Sequence, residues 1–387
     1  MIKVDSDNCT GCCACVSMCR AKVISMQNDK NGFTYPKLGE GCTCCGKCVS
    51  VCPIPKELFH APLENVYIYQ NPNADVLKRS TSGGVFYELA RHVIDKGGVI
   101  YGCAYTKKFI AKHIRIDKID NIKLLQGSKY VQSNMDGIIQ QIEKDIKNGK
   151  QVLFSGTPCQ NAGILSFFSD DSIDLLTVDF VCHGVPSQMM FDKYLEWFEA
   201  KHGGKVLSYS FRDKENGGWS LSGRAVVRRA GKCHVVPINV SQNWYYDAFL
   251  RGFTYRKSCY SCRYARKERI ADITIGDFWG IEKLLQNTNK EGYSLIMINT
   301  DKAMRLANAI GFNKTEAGIE LAIRKNAQLS HAHNMPILRD KLLEIIMNEN
   351  YIDINRLYRK MFRNHLLILR LKELVPQGLK HFVKKHL

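Results

Sequence analysis

The chain has 387 residues, and its 55 Lys and Arg against 37 Asp and Glu give a formal net charge of +18. This length exceeds what one hydrophobic core usually serves, so we expect at least two domains. No run approaches the roughly 20 apolar residues that cross a bilayer. The charge is not accompanied by a recognised nucleic-acid-binding motif. The composition thus argues against a membrane-spanning protein and favours a nucleic-acid-binding one only weakly.

Eight cysteines near the N terminus form two runs with the same spacing. The runs are Cys9-x2-Cys12-x2-Cys15-x3-Cys19 and Cys42-x2-Cys45-x2-Cys48-x3-Cys52, the second followed by Pro53. This spacing is typical of two-cluster ferredoxins, in which the last cysteine of each run binds the other [4Fe-4S] cluster. We therefore predict one ligand set of Cys9, Cys12, Cys15 and Cys52, and a second of Cys42, Cys45, Cys48 and Cys19. Zinc knuckles or a disulfide knot are the alternatives, and Cys13 and Cys44 are expected to be bystanders.

The cysteine content also bears on the compartment. The opening residues 1–5 run almost directly into the first cluster motif, so the sequence predicts no secretory signal. Sixteen cysteines without such a signal favour clusters and free thiols over disulfides, and hence a reducing cytoplasm, in an anaerobic or low-oxygen cell.

Beyond the N-terminal segment with the two cysteine runs, called the N-terminal module, apolar periodicity predicts alternating helices and strands. An extended linker is expected as far as residues 71–73, then a helix after Gly84 that ends at Gly97 and Gly98. The following predictions are a strand at 99–105, a helix carrying Ile138, Ile139, Ile142 and Ile146, a strand at 152–154, a helix at 162–168 and a strand at 175–180. A strand–helix–strand order predicts a parallel pair with a right-handed crossover.

The rest of the chain completes the predicted architecture. Antiparallel strands are expected at 206–211, 221–227 and 234–238, with further strands at 273–275 and 294–298 and helices afterwards. The predicted fold class is an α+β ferredoxin-like cluster module, then an α/β core with a parallel sheet and an antiparallel insertion, then a helical basic tail. The domain boundaries are 1–60 for the two-cluster ferredoxin domain, 61–310 for the catalytic core and 311–387 for the helical C-terminal region.

A second group of cysteines lies in the predicted core. Cys159 and Cys182 follow the two parallel strands, and Cys259-x2-Cys262 forms a close pair. The ends of adjacent parallel strands lie close together, at the edge where open α/β sheets bind ligands. Four thiols there could hold a third [4Fe-4S] cluster, a structural zinc ion, or no metal at all. Cys103 and Cys233 have no evident partner and are expected to be core or strand thiols.

Two glycine-containing segments could bind a phosphate through free backbone N–H groups. They are Ser82-Gly83-Gly84, before a predicted helix, and Ser155-Gly156-Thr157. Neither is a Walker loop or a Rossmann fingerprint, so each could equally be an ordinary capped turn. Lys129 could supply a cation to a cofactor and His183 could donate a proton, with a solvated lysine and a structural histidine as the alternatives.

The C-terminal segment 356–387 is strongly basic, with nine Lys or Arg and one acid, Glu373. Its apolar residues are spaced as in an amphipathic helix (Leu357, Phe362, Leu366, Leu369 and Leu374). Such a helix could dock on the protein's own core or attach peripherally to the inner, anionic face of a membrane.

Taken together, the motifs resemble the beta-subunit family of coenzyme F420 hydrogenases and dehydrogenases, over about residues 66–283. The motifs that carry the resemblance are Ser82-Gly83-Gly84, Gly127-Ser128-Lys129-Tyr130, Gly156-Thr157-Pro158-Cys159-Gln160, Cys182-His183-Gly184, Cys259-x2-Cys262, Ala271-Asp272-Ile273 and Gly276-Asp277. The resemblance implies FAD and one core [4Fe-4S] cluster on Cys159, Cys182, Cys259 and Cys262. It implies flavin contacts from Ser82, Gly83, Gly84, Lys129, Tyr130, Gly156, Thr157, Pro158, His183 and Gly184.

The sequence therefore predicts an iron–sulfur flavoprotein oxidoreductase. Electrons would pass between ferredoxin or a redox partner subunit, the N-terminal clusters, the core cluster and FAD, and then to or from an organic hydride acceptor such as a deazaflavin. His183 and Lys129 are the candidate catalytic residues. The alternative is a non-catalytic electron-transfer subunit that connects ferredoxin to another enzyme, in one version an enzyme of cell-envelope polysaccharide synthesis.

Overall fold

The computed structural model of the chain describes residues 5–60, 65–168, 174–216, 218–281, 284–285, 289–311 and 314–375. The strands are β1 (Ile24–Asn28), β2 (Thr34–Leu38), β3 (Asn65–Tyr69), β4 (Val99–Tyr105), β5 (Ala111–Ile116), β6 (Val152–Ser155), β7 (Leu175–Phe180), β8 (Lys205–Ser210), β9 (Gly223–Arg229), β10 (Lys232–Ile238), β11 (Ile273–Asp277), β12 (Ser294–Ile298) and β13 (Lys314–Gly318). Those at 99–105, 175–180 and 294–298 have the predicted bounds, because each is a mostly apolar run that is largely buried in the sheet.

Helices surround these strands and make up most of the C-terminal part. They are α1 (Ala14–Met18), α2 (Lys47–Ser50), α3 (Ala74–Arg79), α4 (Val85–Asp95), α5 (Ile122–Leu125), α6 (Ile138–Lys147), α7 (Pro158–Phe167), α8 (Gln188–His202), α9 (Trp244–Leu250), α10 (Asp301–Ile310), α11 (Ile319–Lys325), α12 (Arg339–Asn348), α13 (Tyr351–Met361) and α14 (Arg363–Leu374). Among the described residues, no helix is both long enough and apolar enough to cross a membrane.

An eight-stranded mixed sheet forms the centre of the fold, in the order β13-β3-β12-β11-β7-β6-β4-β5. Strands β4, β6, β7 and β11 run parallel to their neighbours within this group, and the predicted parallel pair places Val152 opposite Leu175. The outer strands pair antiparallel. The carboxyl ends of β6 and β7 therefore meet at one edge of the sheet, where Cys159 and Cys182 follow them.

The predicted linker before residue 71 is wrong in part, because β3 belongs to the central sheet. It pairs with both β12 and β13, and Val66 and Ile68 are buried. Both partner strands lie more than 200 residues further along the chain, so local spacing could not reveal this pairing.

The predicted antiparallel insertion is a separate three-stranded sheet, β10-β9-β8. It packs with α8 and α9 around an aromatic core that includes Phe191, Tyr194, Phe211 and Tyr245. The C-terminal helices complete that core through buried residues such as Tyr358 and Leu366. The C-terminal helical region is thus packed on the protein itself as far as residue 375, while residues 376–387 of the basic tail lie outside the described residues.

Candidate cofactor site

Both N-terminal cysteine runs share a backbone conformation as well as a spacing. The residues before and after the second cysteine have positive φ angles, 70° and 66° at Gly11 and Cys13 and 52° and 75° at Cys44 and Gly46. A short helix begins directly after each turn and carries the third cysteine of its run. Left-handed residues of this kind can turn successive N–H groups toward one concave side, which suits an anionic cluster.

The first predicted ligand set is gathered in one place. Burial raises the pKa of Cys15 to about 12, and the nearby thiols of Cys9 and Cys52 add to this rise. Burial also raises the pKa of Cys12, with Cys15 and Cys9 among the contributing neighbours. Cys52 comes from the second run and lies beside cysteines of the first, in the exchange that the spacing predicts.

The second predicted set, Cys42, Cys45, Cys48 and Cys19, lies nearer the surface. Cys45 is exposed and the other three are half-buried. Hydrogen bonds from the Lys47 backbone N–H and the Thr43 hydroxyl lower the pKa of Cys45. A lowered pKa favours the thiolate, which is the form that binds iron.

The four core cysteines, Cys159, Cys182, Cys259 and Cys262, also lie together. Burial raises the pKa of Cys182 well above its usual value, and Cys259, Cys159 and Cys262 each raise it further. The same causes, burial first and then neighbouring thiols, raise the pKa of Cys259 to about 12 and that of Cys262 to about 11. Buried thiols that oppose one another's ionisation are stabilised as thiolates by a bound metal, whose positive charge offsets the repulsion.

The described residues contain no group of three or more His, Cys, Asp or Glu side chains arranged to hold one metal ion. A zinc ion would draw four sulfur atoms to about 2.3 Å from a single point. In a four-iron cluster each thiolate binds a different iron, so the sulfur atoms stand farther apart. Zinc and a four-iron cluster thus require different separations of the four sulfur atoms, and the assignment of a cluster to the core cysteines stays a prediction.

The first N-terminal set meets the core set across one face of α7. A Cβ atom at Gly163 would stand 2.8 Å from Cys12 Cβ and 2.9 Å from its Sγ, so the two segments touch at a position without a side chain. Cys159 lies one helical turn before Gly163 and therefore on the same face. Burial raises the pKa of the Tyr264 hydroxyl, and the nearby thiols of Cys159 and Cys12 raise it further.

Arg256 binds the N-terminal module to the core. Its side chain is buried, and its Nε donates to Cys9 O at 2.8 Å, its Nη2 to Thr34 O at 2.9 Å and its Nη1 to Gln132 Oε1 at 3.2 Å. The guanidinium also lies 4.1 Å from the ring centre of Tyr35. This one side chain, three residues before Cys259, thus holds the loop of the first set in place.

A second buried arginine holds the other end of the segment with Cys259 and Cys262. Arg269 pairs with Asp179 on β7 at 3.0 Å and donates to Tyr264 O at 2.9 Å. Both charged groups of this pair are buried. The cysteine pair is therefore bracketed by Arg256 and Arg269, which fix it to the module and to the central sheet.

A cavity of about 1140 Å³ adjoins the core cysteines, slightly above the range of roughly 300–1,000 Å³ that is usual for ligand sites. Its lining includes Cys159 and Cys182. It also includes every predicted flavin contact except Gly83 and Pro158, namely Ser82, Gly84, Lys129, Tyr130, Gly156, Thr157, His183 and Gly184. Segments that lie up to about 100 residues apart in the sequence therefore share one concave surface.

The segment 82–84 is packed tightly against the sheet. The Ser82 hydroxyl donates to Tyr293 O at 2.5 Å. A Cβ atom at Gly83 would stand 2.1 Å from Tyr69 O and 2.5 Å from Ser294 N, so no side chain fits there. Gly83 thus permits close packing behind the cavity, and Gly84, with φ of 84°, caps the start of α4.

Lys129 lies in the cavity wall but is already bound by protein. Its ammonium group donates to carbonyl oxygens at the end of α5, at 3.1, 3.2, 2.8 and 3.3 Å from Leu124, Leu125, Gln126 and Gly127. Burial lowers its pKa to about 8. The structure thus gives Lys129 a helix-capping role, and the predicted flavin contact would require some of these bonds to be exchanged.

A hydrogen-bond network that the sequence did not reveal fixes the loop before Cys159. His113 on β5 lies with Nε2 3.0 Å from Ser155 O and Nδ1 3.0 Å from Ser133 Oγ. The carbonyl can only accept, so Nε2 carries the proton and Nδ1 accepts from Ser133. Gln160 donates to Ser133 Oγ at 2.9 Å and accepts from the Thr157 backbone N–H at 3.0 Å.

The lining of the cavity includes charged and aromatic groups around Asp277. This carboxylate accepts from Arg212 Nη1 at 3.0 Å and from Trp219 Nε1 at 2.7 Å. Trp219 stacks on Trp279 with ring centres 4.4 Å apart. His183 faces the same space, and burial lowers its pKa. Its imidazole is thus mainly neutral at pH 7, and its predicted proton-donor role stays a prediction.

The chain matches a known family and a solved structure. Residues 149–318, which contain all four core cysteines, match the family that describes the C terminus of the coenzyme F420 hydrogenase/dehydrogenase beta subunit. A chain of the F420-reducing [NiFe] hydrogenase complex from Methanosarcina barkeri, in its xenon-derivatised structure, is 16% identical; the match covers 80% of this chain and 95% of that one, with a TM-score of 0.44. No curated protein sequence matches the chain.

Proposed function

We propose that the chain is an FAD-dependent iron–sulfur oxidoreductase, because residues 149–318 match the family that describes the C terminus of the coenzyme F420 hydrogenase/dehydrogenase beta subunit. In this proposal two [4Fe-4S] clusters lie in the N-terminal module and a third lies on Cys159, Cys182, Cys259 and Cys262. The match over residues 149–318 supports a redox role of the beta-subunit type. The cofactors, their number and the site residues are part of the proposal.

The observation that carries the proposal is the shared cavity. Its wall joins Ser82, Gly156 and Gly184 to two of the core cysteines, Cys159 and Cys182. A flavin held there would lie beside the core set. The bare backbone at Gly84 and Gly156 and the first turn of α4 suit the phosphates of FAD. The stacked Trp219 and Trp279 offer flat apolar surface to an aromatic ring system.

Bound FAD would exchange single electrons with clusters and two electrons, as a hydride, with an organic molecule. The chain's own residues would keep the participants in place. Gly163 lets the Cys12 loop approach the helix of Cys159. Arg256 links the Cys9 and Thr34 carbonyls of the N-terminal module to Gln132 of the core by three hydrogen bonds. The network from His113 to Thr157 fixes the turn before Cys159, and Asp277 orients Arg212 in the cavity wall.

The proposed electron donor or acceptor at the N-terminal module is ferredoxin or a redox partner subunit. The surface position of the second set, with Cys45 exposed, suits an entry point. The molecule that exchanges hydride in the cavity would be a small organic acceptor, for which a deazaflavin is one option. Such a molecule would meet Arg212, Trp219 and Trp279 in the cavity wall.

Metal and flavin analysis of protein purified without oxygen tests this proposal. We expect about twelve irons and twelve sulfides per chain, four for each cluster, and one FAD. In the double variant Cys259→Ser, Cys262→Ser the iron content should fall by about four, while the N-terminal clusters remain. Cys233→Ser is the matched control, because Cys233 is exposed and lies outside all three sets. Zinc in place of core iron, or unchanged iron in the double variant, would contradict the third cluster.

The alternative of a connecting subunit without its own catalysis requires a different measurement. The isolated chain, reduced through its clusters, should turn over a hydride acceptor such as a deazaflavin under steady-state conditions if the proposal is right. Full cluster loading without flavin and without turnover of any acceptor would favour the connecting subunit. The size and lining of the cavity favour the enzyme.

A further inference from the structure

Helix α14 presents apolar side chains on two opposite faces. On the inner face, Leu366 is buried, and Phe362 just before the helix is buried as well. On the outer face, Leu367, Leu371 and Leu374 follow the i, i+4, i+7 spacing of one helical stripe. Packing against the core explains the apolar residues of the inner face but not those of the outer face.

The outer stripe is well exposed for such large apolar side chains. The exposed fractions are 52% for Leu367, 55% for Ile368, 66% for Leu371 and 72% for Leu374. Single exposed leucines are ordinary, but contiguous exposed apolar residues on one helix mark an interaction surface. These four residues form the outer stripe.

The helix is held firmly, so the outer stripe has a fixed direction. On the inner face, His365 Nε2 lies 2.9 Å from Asp247 Oδ1. The Glu373 carboxylate accepts from the backbone N–H of Ser241 at 2.9 Å and also from its hydroxyl. These bonds lie at both ends of α14 and prevent it from turning its apolar stripe inward.

Basic side chains flank the outer stripe on both sides. At about 100° per residue, Arg363 and Arg370 fall on one border of the stripe and Lys372 on the other. All three are exposed. Glu373 is the sole acidic residue within α14, and it is turned inward to Ser241. The outer half of the helix is therefore apolar along its middle and positively charged along its borders.

We propose that α14 docks in the surface of a membrane that contains anionic phospholipids, with the outer stripe among the acyl chains and the basic residues at the headgroups. An apolar face between two basic borders is the pattern of helices that lie in the plane of the interface. Long Arg and Lys side chains can reach the headgroups while their stems cover apolar surface. A protein partner would not require positive charge along both borders, whereas anionic headgroups surround such a helix on both sides.

Docking of this kind would bring the cavity close to the membrane. His365, Leu369 and Glu373, on the inner face of α14, belong to the cavity lining. The outer stripe lies on the other side of the same helix, and a helix with side chains is about 10 Å across. One helix would thus separate the cavity from the lipid.

The test uses the full chain, purified without oxygen, and sedimentation with phospholipid vesicles. We expect binding to vesicles with roughly 30% phosphatidylglycerol, weak binding to pure phosphatidylcholine, and loss of binding as salt is raised. Replacement of Arg363, Arg370 and Lys372 by Gln should weaken binding roughly 100-fold, since each basic residue near an anionic surface contributes roughly fivefold.

A second variant tests the outer stripe itself. Leu367→Gln, Leu371→Gln and Leu374→Gln together should lower vesicle binding at least about tenfold and leave the thermal unfolding midpoint unchanged, because the three side chains are exposed. Val235→Gln on β10 is the matched control, since Val235 is 64% exposed and lies outside α14. Unchanged binding of the leucine variant would assign the attraction to other basic segments and overturn the proposal.

A measurement of the oligomeric state tests whether a second copy of the chain, and not a membrane, covers the outer stripe. If the wild type forms a dimer that the leucine variant loses, the stripe is a contact between copies and the membrane proposal is wrong. The vesicle experiment requires no turnover and no identified acceptor. Its failure would therefore leave the proposed redox function intact, and loss of flavin or clusters would not by itself abolish vesicle binding.

Discussion

Cys12 of the N-terminal module touches the core at Gly163. A Cβ atom at position 163 would stand 2.8 Å from Cys12 Cβ and 2.9 Å from Cys12 Sγ, distances that real Cβ contacts do not show. Cys12 belongs to the first predicted ligand set, and Cys159 of the core set lies one turn away on the same helix. A glycine at this point thus brings two proposed clusters near each other, and short separation is what makes electron transfer between them fast.

Gly163→Ala should therefore separate the two segments. Alanine favours the helix by about 1 kcal/mol, but the clash involves Cys12 Cβ, which is close to the main chain and cannot swing away. Overpacking of this kind costs roughly 1–3 kcal/mol, so we expect a net loss of about 1 kcal/mol in the free energy of unfolding. Stopped-flow reduction should show slower electron transfer from the N-terminal clusters to the core.

Gly318→Ala is the matched control for that change. An added Cβ at Gly318 would meet no atom within 4 Å, and its φ is not positive. Equal transfer rates in Gly163→Ala and Gly318→Ala would show that the contact does not set the path between the cysteine sets.

Arg256 should stabilise the contact between the N-terminal module and the core, and it should also raise the reduction potential of the first N-terminal cluster. Arg256→Met leaves the carbonyl oxygens of Cys9 and Thr34 without their donor and removes a buried positive charge. We expect a loss of about 3 kcal/mol in stability, seen as a lower thermal unfolding midpoint. Because a nearby cation favours the added electron, an electron paramagnetic resonance redox titration should give a more negative potential.

Two further variants separate charge from geometry at this position. Arg256→Lys keeps the positive charge but loses the forked N–H donors of the guanidinium. We therefore expect the reduction potential of the first N-terminal cluster to stay near the wild-type value, while the free energy of unfolding falls. Arg228→Met, at an exposed site on β9, should change neither property. An unaltered potential in Arg256→Met would limit Arg256 to a structural role.

Local patterns explain which features could be predicted from the sequence. The strands at 99–105 and 175–180 are mostly apolar runs, and the parallel order of 152–154 and 175–180 follows from the helix between those two strands. Because parallel strands end at one edge, the neighbourhood of Cys159 and Cys182 could be predicted as well. The doubled cysteine spacing likewise predicted that Cys52 lies beside Cys9 and Cys15.

Features that depend on distant partners could not be predicted. Arg256 and Cys9 are 247 residues apart, and no spacing rule joins a lone arginine to a carbonyl at that distance. His113 lies on β5, a strand of mixed polarity that was not predicted. Lys129 is a different case. It was expected at the flavin because it could supply a cation and because its motif resembles that of the family, but carbonyl oxygens at and just after the end of α5 already bind its ammonium group.

Asp277 should be needed to keep Arg212 in place in the cavity wall. Asp277→Asn retains the shape but removes the charge that faces the buried guanidinium, whose side chain is only 4% exposed. Breaking a buried ion pair costs about 3–5 kcal/mol, so the thermal unfolding midpoint should fall markedly. The Trp219–Trp279 stack should loosen, and this should change the tryptophan fluorescence.

Glu143→Gln is the matched control for Asp277→Asn, because it makes the same kind of change in an exposed pair with Lys147. Exposed pairs contribute about 0–1 kcal/mol. If both variants lost equally little stability, Asp277 and Arg212 would not form a structurally important pair.

His113 should make the protein less stable at mildly acidic pH. Burial lowers its pKa from 6.5 to about 4, so between these values the unfolded chain binds a proton that the folded chain excludes. Stability therefore falls as pH falls from 6.5 to 4, and between pH 7 and pH 5 the loss should be about 2 kcal/mol. In His113→Gln this part of the pH dependence should disappear, although the variant is less stable at pH 7.

His234→Gln, at an exposed histidine, is the matched control and should keep the wild-type pH dependence of the thermal unfolding midpoint. A wild-type pH profile in His113→Gln would contradict the assignment to His113.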